Sequence, residues 1–298
     1  EAILADSIAR YKREKGYDVY SLAKTLWILL TKNEKGFEGT YNYLDKTHSL
    51  HSILKYKNKH LVELEELLTA ATRNDPKDRP TIDEFRSMLE TWLDIIKDFD
   101  KAQISDWDFL RRNLFGQMPP SLATWDDYES IAEVLDVVAM TPAYNHMMLP
   151  NGGGLDLVGA SIAPEDQCIY LESDVGILIV IKPKKLHFVS FKDDISWNYF
   201  YMELDRLEPI GEEPLFSCEH LVEDIPGHYV SAKYSQYGEY DYDSGRPLPE
   251  GYKEVTRYNS GNMLIVLKRG VYNKISATYD GRHSQVSFEK FSQYFAGL

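Results

Sequence analysis

Lys15-Gly-Tyr-Asp-Val-Tyr-Ser-Leu-Ala-Lys-Thr-Leu-Trp-Ile-Leu-Leu30 places apolar side chains at Val19, Leu22, Ala23, Leu26, Trp27, Leu29 and Leu30. That recurrence is helical and leaves little polar face, so the spacing predicts a helix buried on several sides. Asp18 stands at its start, where a carboxylate accepts from free backbone N–H groups and meets the positive end of the helix dipole. On these residues alone, the stretch is a core helix with an N-cap.

A second stretch gives it a context: Leu67-Leu-Thr-Ala-Ala-Thr-Arg-Asn-Asp-Pro-Lys-Asp-Arg-Pro-Thr-Ile-Asp-Glu-Phe85. Together the two resemble the end of a protein-kinase catalytic domain of the serine/threonine type. In that family an Asp-Val-Tyr-Ser-Leu-type segment opens the buried central helix of the large lobe. An Asp-Pro-x-x-Arg-Pro-Thr segment then lies between the last two helices. Here these are Asp18 to Leu22 and Asp75 to Thr81. The resemblance covers residues 1–97 and implies the helical lower part of a kinase large lobe. It also implies that Arg79 pairs with a glutamate just ahead of the central helix, the place where Glu1 stands. Such a carboxylate–guanidinium fork ties the activation segment to the lobe. Asp18, by the same resemblance, braces the backbone of the catalytic loop. Glu1, Asp18 and Arg79 are thus implied as architectural residues. Ala23 and Ile28 depart from the glycine and glutamate common at those places, which marks a divergent branch.

The parts that perform phosphoryl transfer are not in the chain. It has no Gly-x-Gly-x-x-Gly loop, no Val-Ala-Ile-Lys strand, no His-Arg-Asp and no Asp-Phe-Gly. Asp98-Phe-Asp100 follows the Arg-Pro-Thr segment, whereas the metal motif precedes it. No catalytic residue is therefore expected in this chain, and no metal site or cofactor. ATP and Mg are implied for the intact parent, which would phosphorylate protein hydroxyls. A first residue other than Met fits a piece of such a parent, with the missing kinase portion as a candidate partner chain. The alternative is a non-catalytic scaffold or partner-binding protein built on a partial lobe.

Charge separates the two ends of the chain. Of the net −14, residues 1–100 hold 16 Lys+Arg against 18 Asp+Glu, and the rest hold 17 against 29. A strongly acidic second part argues against nucleic acid as a partner. Two cysteines, Cys168 and Cys218, make no disulfide framework or metal pair, so a reducing, cytoplasmic setting is expected. The longest apolar run, Val175 to Ile181, is too short for a membrane span.

Along the chain, Arg10 to Lys15 is a basic cluster, read as a solvated face. Residues 31–50 read as a loop and 50–58 as a short helix. Leu61, Leu64, Leu67, Leu68 and Ala71 predict a helix with Glu63, Glu65 and Glu66 on its other side. Thr81 and Glu84 form a capping box ahead of a helix striped by Phe85, Met88, Leu89, Trp92 and Leu93. Residues 98–124 read as a helical connector, with Trp107, Phe109, Leu110, Leu114 and Phe115 packing back on the lobe. A capping signal over Thr124 to Asp127 then opens another helix.

Residues 125–298 read as an acidic, β-rich α+β accessory domain, giving an α+β chain overall. Strands are predicted over 167–172, 175–182, 185–191, 197–203 and 262–268, most simply as an antiparallel sheet. Gly152-Gly-Gly154 reads as a flexible turn rather than a phosphate cradle, and His146 beside it as a surface or core histidine rather than a base. Pro226 to Tyr258 reads as a long loop rich in tyrosine. Its Tyr229, Tyr234, Tyr237, Tyr240 and Tyr242 either contact a protein substrate or regulatory protein, or cover their own domain. Regulation or substrate recruitment is the role expected of this domain.

Overall fold

A computed structural model describes residues 18–150, 154–164, 166–191, 194–207, 218–225, 228–231, 253–258, 261–266 and 287–297. The chain divides into two compact units, 1–105 and 106–298.

In the first unit, helix α1 spans residues 18–31. Its Val19, Ala23 and Trp27 are fully buried and anchor one apolar core with Phe37, Tyr41, Leu50, Leu64, Leu67, Leu68 and Phe85. The expectation of burial on several sides needs correcting. Asp18, Leu22, Thr25 and Leu29 form one exposed stripe, with Leu29 at 71% and Leu22 at 39% exposure. The segment after α1 turns at Gly36 and Gly39, both at positive φ, which glycine adopts without a Cβ clash. Lys24 donates through Nζ to the carbonyls of Phe37 and Gly39, fastening that segment to α1.

Helix α2 (Leu50–Leu54) is capped by Ser49, whose side chain accepts from the Ser52 N–H. Helix α3 (Val62–Ala71) follows, and α4 (Ile82–Ile95) begins with the capping box of Thr81 and Glu84. Glu65 overturns one expectation. It lies on the buried side of α3, at 2% exposure, because it falls in helical phase between Val62 and Leu68. Its Oε1 accepts from the His51 N–H (2.9 Å) and the Ser49 hydroxyl (3.3 Å), and Oε2 from the Tyr41 hydroxyl. Tyr41 in turn accepts from the Leu50 N–H at 2.8 Å. One carboxyl group thus joins α3 to the chain entering α2. Burial pushes the Glu65 carboxyl up to about 7, and the same burial raises the Tyr41 hydroxyl far above its ordinary range.

The division between units falls inside α5 (Phe99–Leu114). Its C-terminal half and Phe115, expected to pack back on the lobe, find the following partners further along the chain. Trp107 stacks on Phe188 at 5.9 Å, Phe115 meets Phe188 at 4.7 Å, and buried Asp106 accepts from the Ala143 N–H at 2.8 Å. These partners belong to the second unit.

That unit is built on β1 (Leu122–Trp125), β2 (His146–Met148), β3 (Gly154–Ile162), β4 (Ile169–Ser173), β5 (Leu178–Ile181) and β6 (Pro183–Val189). It continues with β7 (Tyr199–Leu204), β8 (Cys218–Ile225), β9 (His228–Ser231), β10 (Lys253–Tyr258) and β11 (Asn262–Val266). Their order is β1-β6-β7-β11-β2-β3-β4-β5-β10-β8-β9. All pairings are antiparallel except β5 with β10, so the sheet is mixed. The α+β class stands. The connector's end is a strand, since β1 pairs with β6, and the stretch read as a turn enters β3 at Gly154. Gly154 is required there, because a Cβ would lie 2.3 Å from His146 Nε2.

Helix α6 (Tyr128–Ala139) starts at Asp127, which accepts from the Ser130 N–H. It packs mainly against β3, with Asp136 accepting from the Ala160 N–H at 3.2 Å. Helix α7 (Phe288–Phe295) lays Phe291 and Phe295 on Met148, Tyr199 and Tyr201.

The buried Glu65 carboxyl makes the first unit sensitive to base. Its folded pKa of about 7 exceeds its ordinary 4.5, so stability is fullest below pH 4.5 and falls as pH rises to 7. The expected loss is about 3 kcal/mol, since each tenfold change in proton affinity is worth about 1.4 kcal/mol. Hydrogen exchange of α3 amides between pH 5 and 8, corrected for intrinsic rates, checks this, and Glu65→Gln should flatten the dependence.

Candidate functional site

Between α3 and α4 the backbone is folded by its own polar side chains. Thr72 donates to the Leu68 carbonyl (2.8 Å) and accepts from the Tyr41 N–H (2.7 Å), closing the end of α3. Asp75 accepts from the Lys77 N–H at 2.9 Å, which starts the 3-10 turn Pro76–Asp78. Two arginines then clasp the loop. Arg73 Nη1 donates to the Asp78 carbonyl at 3.1 Å. Arg79 donates from Nε to the Arg73 carbonyl (2.6 Å) and from Nη2 to the Asn74 carbonyl (3.4 Å). The Arg79 guanidinium also lies 4.6 Å over the Tyr20 ring, so the loop is held to α1 by a cation–π contact.

This clasp borders a pocket of about 800 Å³ lined by Ala70, Arg73, Lys77, Arg79, Thr81 and Met88, among others. The size suits a small ligand or a side chain of a partner. Its polar groups are mostly committed to the fold. The Thr81 hydroxyl and the Glu84 carboxylate serve the capping box, and the Thr81 N–H holds Glu84 below the usual carboxylate range. The lining offers charge and shape, and among the described contacts no nucleophile there is paired with a base.

The residues singled out in sequence fare differently. Arg79 sits in the loop just described. Asp18 is exposed at the start of the described part of α1. Glu1 lies outside the described residues, as do Tyr234, Tyr237, Tyr240 and Tyr242. Tyr229 lies on β9, opposite Glu223 of β8, and buried Tyr258 lies on β10. Part of the tyrosine-rich stretch is therefore sheet rather than loop.

His146 is a part-buried residue of β2. Its Nδ1 lies 2.7 Å from Asp156 Oδ1 across the β2–β3 ladder, a dyad that fixes the ring inside the sheet. Two further polar clusters carry no sequence motif. His60 Nε2 meets Glu63 Oε2 at 2.5 Å, while the Ser105 hydroxyl donates to Glu63 Oε1. Here the serine bonds the carboxylate and not the imidazole, so the trio does not activate a nucleophile. His187, at 8% exposure, bonds Thr124 across β1 and β6. Helical phase could have placed Glu65, and strand alternation His187; neither pattern announces a ligand. Among the described residues no group of three His, Cys, Asp or Glu side chains could hold a metal, and no helix is long and apolar enough to cross a membrane.

Comparison of the chain with protein-family models, with curated proteins and with solved structures returned no match.

Replacing Arg79 by Ala removes two carbonyl bonds and the Tyr20 contact. The first unit should lose about 1–2 kcal/mol, given typical values for hydrogen bonds to charged groups. Exchange of α4 amides under native conditions reads this directly. Arg79→Lys should recover less than half, because an ammonium lacks the planar fork.

Proposed function

We propose that this chain is the C-terminal portion of a serine/threonine-type protein kinase, joined to an acidic α+β domain that regulates it or recruits its protein substrate. One observation carries the reading. Helix α1 is apolar most of the way round, yet Leu22 and Leu29 stand exposed on one stripe with Asp18 and Thr25. A helix of that composition is built for burial on more than one side. The upstream half of a large lobe would supply the second side, with Asp18 bracing its catalytic loop.

Further support comes from the order of elements. The Asp75–Thr81 segment lies between α3 and α4, and Arg79 reaches back to α1 through Tyr20. In the intact parent, ATP and Mg would be held by the upstream parts, and the phosphoryl group would pass to a protein hydroxyl. The residues of this chain hold the lobe together and present the exposed stripe.

The test is intact mass and N-terminal sequencing of the protein from its native source. The expected species is heavier by roughly 200 residues, the usual scale of one more domain. Its upstream sequence should contain a lysine-bearing strand, His-Arg-Asp and Asp-Phe-Gly. A mass matching the 298 residues would replace catalysis by scaffolding. Leu22→Asp together with Leu29→Asp should abolish association with the upstream portion supplied as a second chain. Because both residues are exposed, the first unit itself should change by less than about 0.5 kcal/mol.

A further inference from the structure

The sheet of the second unit has a face on which α7 rests. Cross-strand pairing puts Thr124 of β1, His187 of β6 and Tyr201 of β7 side by side on that face. The next row along brings together Lys185 of β6, Glu203 of β7 and Asn262 of β11. Helix α7 covers the ladder with three phenylalanines. Phe291 stacks on Tyr201 at 5.1 Å, Phe295 meets Tyr199 at 4.5 Å, and Phe288 lies flat on the His187 imidazole at 3.9 Å with an interplanar angle of 4°. Tyr199 and Ser292 add a hydroxyl–hydroxyl bond at 3.1 Å. Every ring under α7 except one has a fixed charge state at neutral pH. The exception is His187.

We infer that α7 is a latch on the sheet and that protonation of His187 under Phe288 loosens it. The imidazole is closed in by β1, β6, β7 and α7. Its Nδ1 lies 3.0 Å from the Thr124 hydroxyl, and its Nε2 lies 3.4 Å from Glu203 Oε1. A second ring proton would have to be accommodated without water. The charged and titratable neighbours are Lys185 from β6, Glu203 and Tyr201 from β7, and Glu289 from α7 itself; β1 contributes the neutral Thr124. Glu203 and Glu289 favour the imidazolium, while burial and Lys185 oppose it, and burial prevails to hold His187 below the ordinary imidazole range. Undocking of α7 uncovers the ring and returns it toward water. The docked state therefore binds the proton less tightly than the undocked one. By linkage, docking is at full strength above the ordinary imidazole value and weakens as pH falls below it. A tenfold weaker hold on the proton in the docked state means a tenfold weaker docking equilibrium once the ring is protonated. The latch rests on residues of the second unit alone and stands whether or not the kinase reading does.

Amide hydrogen exchange of the full chain between pH 7.5 and 5.0, corrected for intrinsic rates, tests it, with β4 and β5 as the reference for global opening. Protection of α7 should fall several-fold on acidification while that of β4 and β5 holds. His187→Gln should remove the fall, and Glu203→Gln should deepen it, since the carboxylate that favours the imidazolium is gone. A fall shared by β4 and β5, a fall that persists in His187→Gln, a shallower one in Glu203→Gln, or none in the native chain overturns the latch.

Discussion

Trp27 is fully buried, and an indole N–H taken out of water must find an acceptor or cost the fold its desolvation energy. It donates to the His48 carbonyl at 2.8 Å, and its ring meets Phe37 edge-on at 5.4 Å. The irregular chain after α1 is therefore obliged to return to the same side of the helix. Once it is there, Tyr41 reaches Glu65, and α3 is brought against α1. The rest of the first core, including Phe85 of α4, fills the space that this arrangement leaves.

The second unit solves a different problem. Its long mixed sheet has two faces along β6 and β7, and strand alternation sends Phe188 and Phe200 one way and His187 and Tyr201 the other. Trp107 of α5 meets Phe188 on the first face, and α7 closes the second with phenylalanines. Aromatic rings thus do most of the covering on both sides, consistent with their large buried area per residue.

Much of this was legible in sequence. The helices at α1, α3, α4 and α6 follow from apolar spacing and from Asp127, Thr81 and Glu84 at their starts. Strands β4 to β7 follow from short runs rich in Ile, Val, Tyr and Phe. What escaped did so for physical reasons. Strands β1 and β2 are only a few residues long, and Gly154 at the head of β3 looks like a turn until His146 is placed beside it. Trp107 and Phe115 announce an apolar face without naming the surface that receives it. Glu65 carries a charge, and its burial depends on Tyr41, Ser49 and His51 arriving from elsewhere in the chain. The turn between α3 and α4 was legible from Pro76 and Pro80, whereas the reciprocal clasp of Arg73 and Arg79 was not.

The parallel pairing of β5 with β10 sets the order in which the molecule can be built. Val255 lies beside Leu178, and in the described pairings β8 and β9 join the sheet through β10 alone. Antiparallel neighbours such as β4 and β5, or β6 and β7, can pair as soon as each hairpin is made. β10 must wait until a long intervening stretch has closed, and loop closure of that kind slows folding more than it costs stability. On a ribosome, the strands from β1 to β7 would emerge and associate while the β5 edge still stood open. During that interval the bare β5 edge, the run Leu178 to Ile181, stands open to pairing with another copy of the chain, as do the edges of β2 and β7 that await β11.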